Sequence, residues 1–240
     1  MSAKLKKITA EIKTFTLSKG ADLVGIADLK LASDFIANHG EPIAAEFPRA
    51  ISIGMQINDT IVETHDPNEP RGKSLYWHHI YDVVSVQLNH LAFDVSRWLA
   101  GQGYETLPIP ASMPYNLKKL QGVISHKLPA HLSGLGWIGK NCLLLSKEFG
   151  PRVRFATVLT DAPLAEDKAT DKKCGKCTAC IDACPVSAFT NTEFSPDEDV
   201  HVRFNTAKCS EYRSNHPCGL CVSSCPLGGN AKKRRKKQLD

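Results

Sequence analysis

The sequence predicts an α+β chain in two parts, a larger N-terminal α+β domain and a small cysteine-rich C-terminal one. Three observations predict this. Helical and strand patterns alternate through the first 160 residues. The composition turns polar and charged after Leu164. Eight of the nine cysteines fall between Cys174 and Cys225.

In the N-terminal part, Leu5, Ile8, Ile12 and Phe15 recur at steps of three and four, which predicts a helix over 4–19 ended by Gly20. Residues 21–27 and 50–57 read as strands. Pro67, Pro70 and Gly72 mark a loop. Tyr76, Ile80, Val83, Val84, Leu88, Leu91, Val95, Trp98 and Leu99 keep helical spacing over 74–100, and Gly101 sits where a C-terminal cap belongs. A short strand at 104–109 precedes a proline-broken loop. Residues 142–145 and 153–159 read as further strands. The expected domains are 1–164, 165–230 and a basic disordered tail at 231–240, with the polar stretch 165–173 as a linker. Too small to rely on its own core, the cysteine-rich domain would depend on its metal sites.

Charge and hydropathy exclude several classes. The net charge is +5, but Lys232 to Lys237 supplies six positive charges, and without them 24 basic residues face 25 acidic ones. The body is therefore near neutral, and a role centred on nucleic-acid binding is disfavoured. The tail reads as a solvated terminus, with RNA contact as the alternative. No run approaches the roughly 18 apolar residues of a membrane span. The N-terminus lacks a signal-peptide pattern. The expectation is a cytoplasmic protein with reduced thiols and no membrane contact.

The cysteine spacing is the strongest motif. The first run is Cys174-x2-Cys177-x2-Cys180-x3-Cys184-Pro185, and the second is Cys209-x8-Cys218-x2-Cys221-x3-Cys225-Pro226. The first matches the bacterial ferredoxin run, whose fourth cysteine ligates the other cluster. Two-residue gaps let a tight loop aim three thiolates at one cubane, while the fourth cysteine, before Pro, starts a short helix and points elsewhere. One [4Fe–4S] cluster is therefore expected on Cys174, Cys177, Cys180 and Cys225. The other is expected on Cys184, Cys209, Cys218 and Cys221, with the eight-residue gap as a longer loop. Structural zinc is the competing reading, but zinc sites generally use two separated cysteine pairs. Cys142, in an apolar run, reads as a buried inert thiol.

Gly134-Leu-Gly-Trp-Ile-Gly139 fits G-x-G-x-x-G, but a dinucleotide fingerprint needs a strand before it and a helix after. Here the order is reversed. Together with residues 140–164 and the two cysteine runs, the segment instead resembles the epoxyqueuosine reductase family, related to the cobalamin-dependent reductive dehalogenases. The resemblance covers about residues 21–227. It implies a nitroreductase-like α+β domain holding a base-off cobalamin, followed by a ferredoxin-like domain whose two clusters feed it electrons. It also implies that Gly134, Gly136, Trp137, Gly139, Lys140 and Asn141 line the corrin or contact its side amides. The family's acidic Val-Asp-Ser-Ala-Pro segment has Ile109-Pro-Ala-Ser112 as its nearest counterpart, or Leu120 if aligned without gaps, and neither supplies an acid. The candidate proton donor is His126, with Tyr104 and Tyr115 as phenolic alternatives. His78, His79 and Asn89 read as structural. The sequence resembles a short form without the C-terminal helical-repeat region.

The expected function is thus an iron–sulfur, corrinoid-dependent reductase of a small molecule or modified nucleoside. Its expected partner is an external electron donor of the reduced ferredoxin or flavodoxin type. The alternative is a two-cluster ferredoxin-type electron carrier that docks a partner protein.

Overall fold

The computed structural model describes residues 3–112, 122–195 and 198–229. Tyr115, Leu120 and the basic tail lie outside the described residues. The chain forms two compact units that interleave in sequence. The first comprises Met1–Met55, Val84–Gly136 and Arg154–Thr170, and the second Gln56–Val83, Trp137–Val153 and Asp171–Asp240. The sequence reading divides the chain at consecutive boundaries instead, since spacing along the chain carries no record of which distant segments pack together.

The first unit is built on a sheet in the order β1-β2-β6-β3. Its strands are β1 (Leu23–Asp28), β2 (Arg49–Gln56), β3 (Thr106–Ile109) and β6 (Val153–Thr160). β1 pairs antiparallel to β2, with Ile26 opposite Ile51, and β3 pairs antiparallel to β6. Strand alternation sends Ile26, Ile51, Ile53 and Val158 to one apolar cluster, with Ile12 of helix α1 (Ala3–Ser18) and Leu88, Val95 and Leu99 of helix α2 (Ser85–Ala100). It sends Ala27, Ala50 and Leu159 to another, with Ile36 and with Leu128 of helix α3 (Lys127–Leu132). Truncating a fully buried side chain such as Ile51 to Ala costs about 2–5 kcal/mol.

Most expected elements stand within a residue or two of their predicted bounds. The long helical pattern is interrupted: Leu75–His78 is α-helical, His79–Val84 is a π-helix, and α2 follows. The wider turn shifts the phase of the helix. Val83, on the buried face by simple spacing, is consequently 50% exposed. Residues 165–173 are not free of the first unit. Asp167 accepts a hydrogen bond from Ile26 N–H at 2.8 Å and pairs with Lys13 at 2.6 Å.

The second unit contains a two-stranded sheet of β4 (Gly136–Ile138) and β5 (Leu144–Ser146) and three short helices near the cysteines. These are α4 (Ala179–Asp182), α5 (Thr206–Asn215) and α6 (Leu220–Ser223), and α4 packs on α6. Its apolar clusters are small: Ile57, Val62, Tyr76, Ile80 and Val222 in one, and Trp137, Leu145 and Cys225 in another. Arg152 is 3% exposed and is neutralised by Asp59 and Glu63, each at 3.1 Å. Such a pair is retained because removing one partner strands a buried charge.

Candidate metal centres

The short helices begin before the third cysteine of each run, not at the fourth. Cys180 lies in α4 and Cys221 in α6, while Cys184 and Cys225 stand one residue past the C-caps Ala183 and Ser224, each directly before a proline. Proline disfavours helical geometry in the residue before it, which suits each helix stopping short of its fourth cysteine. The eight-residue gap is likewise no loop. Most of it is α5, which carries Cys209 itself. Asn205 caps that helix by accepting from Lys208 N–H at 3.0 Å.

The thiols sort into two electrostatic groups. Burial pushes the Cys180 thiol up to about 11, with further increments from Cys174, Cys225 and Cys177. Burial also raises Cys225, followed by Cys174 and Cys177. In the other group burial raises Cys209, with Cys218 and Cys184 as its cysteine neighbours. Cys221 is pushed up to about 12 by burial and then by Cys218, Cys209, Cys180 and Cys184. Cys180, of the first group, thus also raises a thiol of the second. Any metal or cluster bound by these thiols would have to displace their protons. Among the described residues, no three His, Cys, Asp or Glu side chains form a group that could hold a single metal ion. A cubane has its thiolates on separate irons, so they stand farther apart than around one zinc.

Backbone N–H groups accompany the sulfurs. Ala188 N–H donates to Cys184 Sγ at 3.3 Å, and backbone donors at Leu220 and Leu227 lower the pKa values of Cys218 and Cys225 against burial. Donors of this kind stabilise the negative charge of a bound cluster.

The segment after β4 braces both cysteine loops. Lys140 is 4% exposed, and its Nζ donates to Gly175 O at 2.5 Å, Asn191 Oδ1 at 2.7 Å and Cys177 O at 3.3 Å. Glu193 lies 3.8 Å from the same nitrogen and accepts from Cys174 N–H at 3.3 Å. Asn141, equally buried, donates from Nδ2 to Cys221 O at 3.1 Å and accepts from Leu143 N–H. Adjacent residues therefore hold the first and the second loop. Gly139 allows this turn: a Cβ there would stand 2.6 Å from Leu145 and 2.9 Å from Asn141 Oδ1. Trp137 packs with Cys225 and Leu145, and Cys174 lies against the same group.

The remaining candidate residues lie in the first unit. Gly134 adopts φ +71°, and a Cβ would come 2.1 Å from the Lys168 carbonyl oxygen. Gly136 O accepts from His131 Nδ1 at 3.2 Å. His126 is fixed at both ring nitrogens. Its Nε2–H donates to Pro110 O at 3.0 Å, so Nδ1 accepts from Thr157 Oγ1 at 2.8 Å. Desolvation lowers its pKa to about 4, with Arg154 acting in the same direction against the Pro110 bond. Although the residue keeps some surface at solvent, its imidazole is neutral at pH 7 and has no nitrogen left for a substrate. Asn89 accepts from Ala111 N–H at 2.9 Å, a structural role, and in the second unit Cys142 is buried with Arg203 donating to its sulfur at 3.6 Å.

Spacing alone did not reveal Arg213. It lies one turn after Cys209 on α5, donates to Tyr81 Oη at 2.7 Å, and lowers the pKa values of Cys209 and Cys218. The i, i+4 relation to a cysteine was the available signal. Asn191 and Glu193, the side-chain partners of Lys140, had none.

The 4Fe–4S dicluster domain family matches residues 173–228. An epoxyqueuosine reductase of Leadbetterella byssophila is 32% identical over 260 aligned residues, covering 95% of this chain and 82% of that protein. The chain belongs to the epoxyqueuosine reductase family. A relative of the same name from Atelocyanobacterium thalassa is 32% identical over 187 residues, and the match spans 72% of this chain and 57% of that protein. Among solved structures, the fold is similar to a reductive dehalogenase described for B12-dependent dehalogenation. There the TM-score is 0.77 at 19% identity, over 99% of this chain and 34% of the other. It is also similar to an epoxyqueuosine reductase solved with an epoxyqueuosine-modified tRNA-Tyr stem loop, with TM-score 0.60 at 18% identity over 92% and 65% of the two chains. The α+β expectation therefore holds. No helix among the described residues is long and apolar enough to cross a membrane.

Proposed function

We propose that this chain is an iron–sulfur reductase acting on a modified nucleoside of the epoxyqueuosine class, with [4Fe–4S] clusters on two cross-paired cysteine quartets. One is Cys174, Cys177, Cys180 and Cys225. The other is Cys184, Cys209, Cys218 and Cys221. The observation that carries this reading is the match to an epoxyqueuosine reductase over 95% of this chain together with the dicluster-domain match at 173–228. The cysteine neighbours of Cys180 and Cys209 support the cross-pairing, since each set includes a member of the other run. When bound, the clusters supply one-electron storage and transfer. The chain's own residues do the rest. Lys140 holds the first cysteine loop, Asn141 the second, and Arg213 sets positive charge beside Cys209 and Cys218. Cys180 of one quartet is near enough to raise the Cys221 thiol of the other, which favours electron transfer between the two clusters. A soluble ferredoxin or flavodoxin is the class of donor such a pair accepts, and reduced thiols suit a cytoplasmic setting.

A corrinoid acceptor is supported by family membership and by the likeness to a B12-dependent dehalogenase. The glycine-loop residues do not fit a corrin wall. The space beside Gly134 and Gly139 is filled by the chain itself, and Lys140 and Asn141 spend their polar atoms on backbone and neighbouring side chains. Nor does His126 fit a general acid, since both its nitrogens are engaged. That second point favours the runner-up, a two-cluster electron carrier without chemistry of its own.

Anaerobic reconstitution tests the primary reading. Two clusters per chain correspond to about eight irons with matching sulfide. The reconstituted chain, given cob(II)alamin and a chemical reductant, should retain cobalt through gel filtration and reduce an epoxyqueuosine-modified stem loop. Clusters without retained cobalt or turnover would support the carrier. Stoichiometric zinc without iron would overturn both.

A further inference from the structure

We infer that the indole N–H of Trp137 is a hydrogen-bond donor to the iron–sulfur cluster on Cys174, Cys177, Cys180 and Cys225, and that it raises that cluster's reduction potential selectively. The inference rests on the quartet assignment above. Trp137 is 8% exposed, and its Nε1 has no hydrogen-bond partner among the described residues. A buried indole N–H is usually paired, because leaving it unmade forfeits its solvation without compensation. The residue packs in one group with Cys225 and Leu145, and Cys174 lies against that group. Two of the four proposed ligands of one cluster are therefore its neighbours. The ring face already has a use, since Lys172 Nζ stands 5.8 Å from its centroid. The polar edge does not. Thiolates and cluster sulfides are acceptors, and they are the only acceptors the assignment adds at this place.

The sign follows from charge. Reduction adds one negative charge to the cluster, so a donor favours the reduced form and raises the potential. Removing the donor should lower it. None of the cysteine neighbours identified for Trp137 belongs to the second quartet, so the second cluster should be indifferent.

The test uses the full reconstituted chain and Trp137→Phe, which keeps an aromatic ring and loses the donor. In an EPR-monitored redox titration, one cluster of the variant should show about a tenfold smaller reduction equilibrium constant, a shift of ~59 mV to lower potential for one electron. The other cluster should be unmoved. A second measurement does not require the variant to fold. Wild-type protein carrying indole-15N tryptophan, partly reduced, should show a 15N coupling and an exchangeable proton coupling to one cluster by ENDOR. Unchanged potentials, equal shifts of both clusters, or no such couplings in a sample holding both clusters would overturn the donor role. Failure of the wild-type chain to hold iron would instead overturn the quartet assignment, and the donor role with it.

Discussion

Lys140→Met is the sharpest probe of the brace between β4 and the cysteine loops. The substitution keeps a long apolar stem and removes the ammonium. It deletes donation to Gly175 O, Asn191 Oδ1 and Cys177 O. Hydrogen bonds from a charged donor contribute about 1.5–3 kcal/mol each. Part of that sum is offset, because the buried ammonium no longer has to be desolvated and Glu193, 28% exposed, regains water. A net loss of about 3 kcal/mol remains, or roughly two decades in an opening equilibrium. The cost falls on the loop from Cys174 to Cys177. The assay is iron release to a chelator from anaerobic holoprotein, followed as two phases. In wild type the phases should be slow. In the variant one phase, equal to half the iron, should accelerate by up to about 100-fold while the other is nearly unchanged. Uniform acceleration would mean that Lys140 supports the whole unit. Unchanged release would mean that its contacts are energetically idle, and either result would sink the reasoning.

Asn141→Ala should act on the other cluster. It deletes two neutral bonds, donation to Cys221 O and acceptance from Leu143 N–H, of which only the first reaches a cysteine loop, so the effect should be smaller, about 1 kcal/mol or fivefold in the complementary phase of iron release. The cluster-free protein should lose stability in alkali. Its Cys180 and Cys221 thiols have folded pKa values raised to about 11 and 12, so the stability is fully present below the unfolded value near 9 and is lost as pH rises toward 12. Melting by circular dichroism from pH 8 to 12 would show it, and cluster loading should attenuate it. His126 has the opposite sign. Its folded pKa is lowered to about 4, so the stability is present above 6.5 and is lost as pH falls from 6.5 toward 4. His126→Gln should flatten that acid limb without moving any pKa in a pH–rate profile, and a displaced profile would restore His126 as a proton donor.

Spacing made much of this legible. The two cysteine runs announce their chemistry because a cubane dictates the interval between ligands, and the alternation of Ile51 and Ile53 with Ala50 announces two covered faces. The π-helical turn at His79–Val84 was not legible, because a one-residue change of pitch leaves the apolar pattern almost intact on either side. Nor was the task of the glycine loop. Its residues were visible as a motif, but their partners lie in sequence beyond the reach of any local pattern. Lys140 finds Gly175 across 35 residues, and Asn141 finds Cys221 across 80. The reach of His126 to Thr157, 31 residues on, was hidden in the same way, and it decides that the ring is a strut.

Those separations also order events in time. A ribosome delivers Lys140 and Asn141 well before the loops they hold. Until Gly175, Cys177 and Asn191 have emerged, the lysine has no acceptors among them, and the asparagine waits longer still for Cys221. The scaffold for iron is thus assembled from its receiving end. A fragment cut to contain only the cysteine runs would carry every ligand and neither clamp, so transplanting those runs as a freestanding cassette should yield a chain that captures iron and soon loses it.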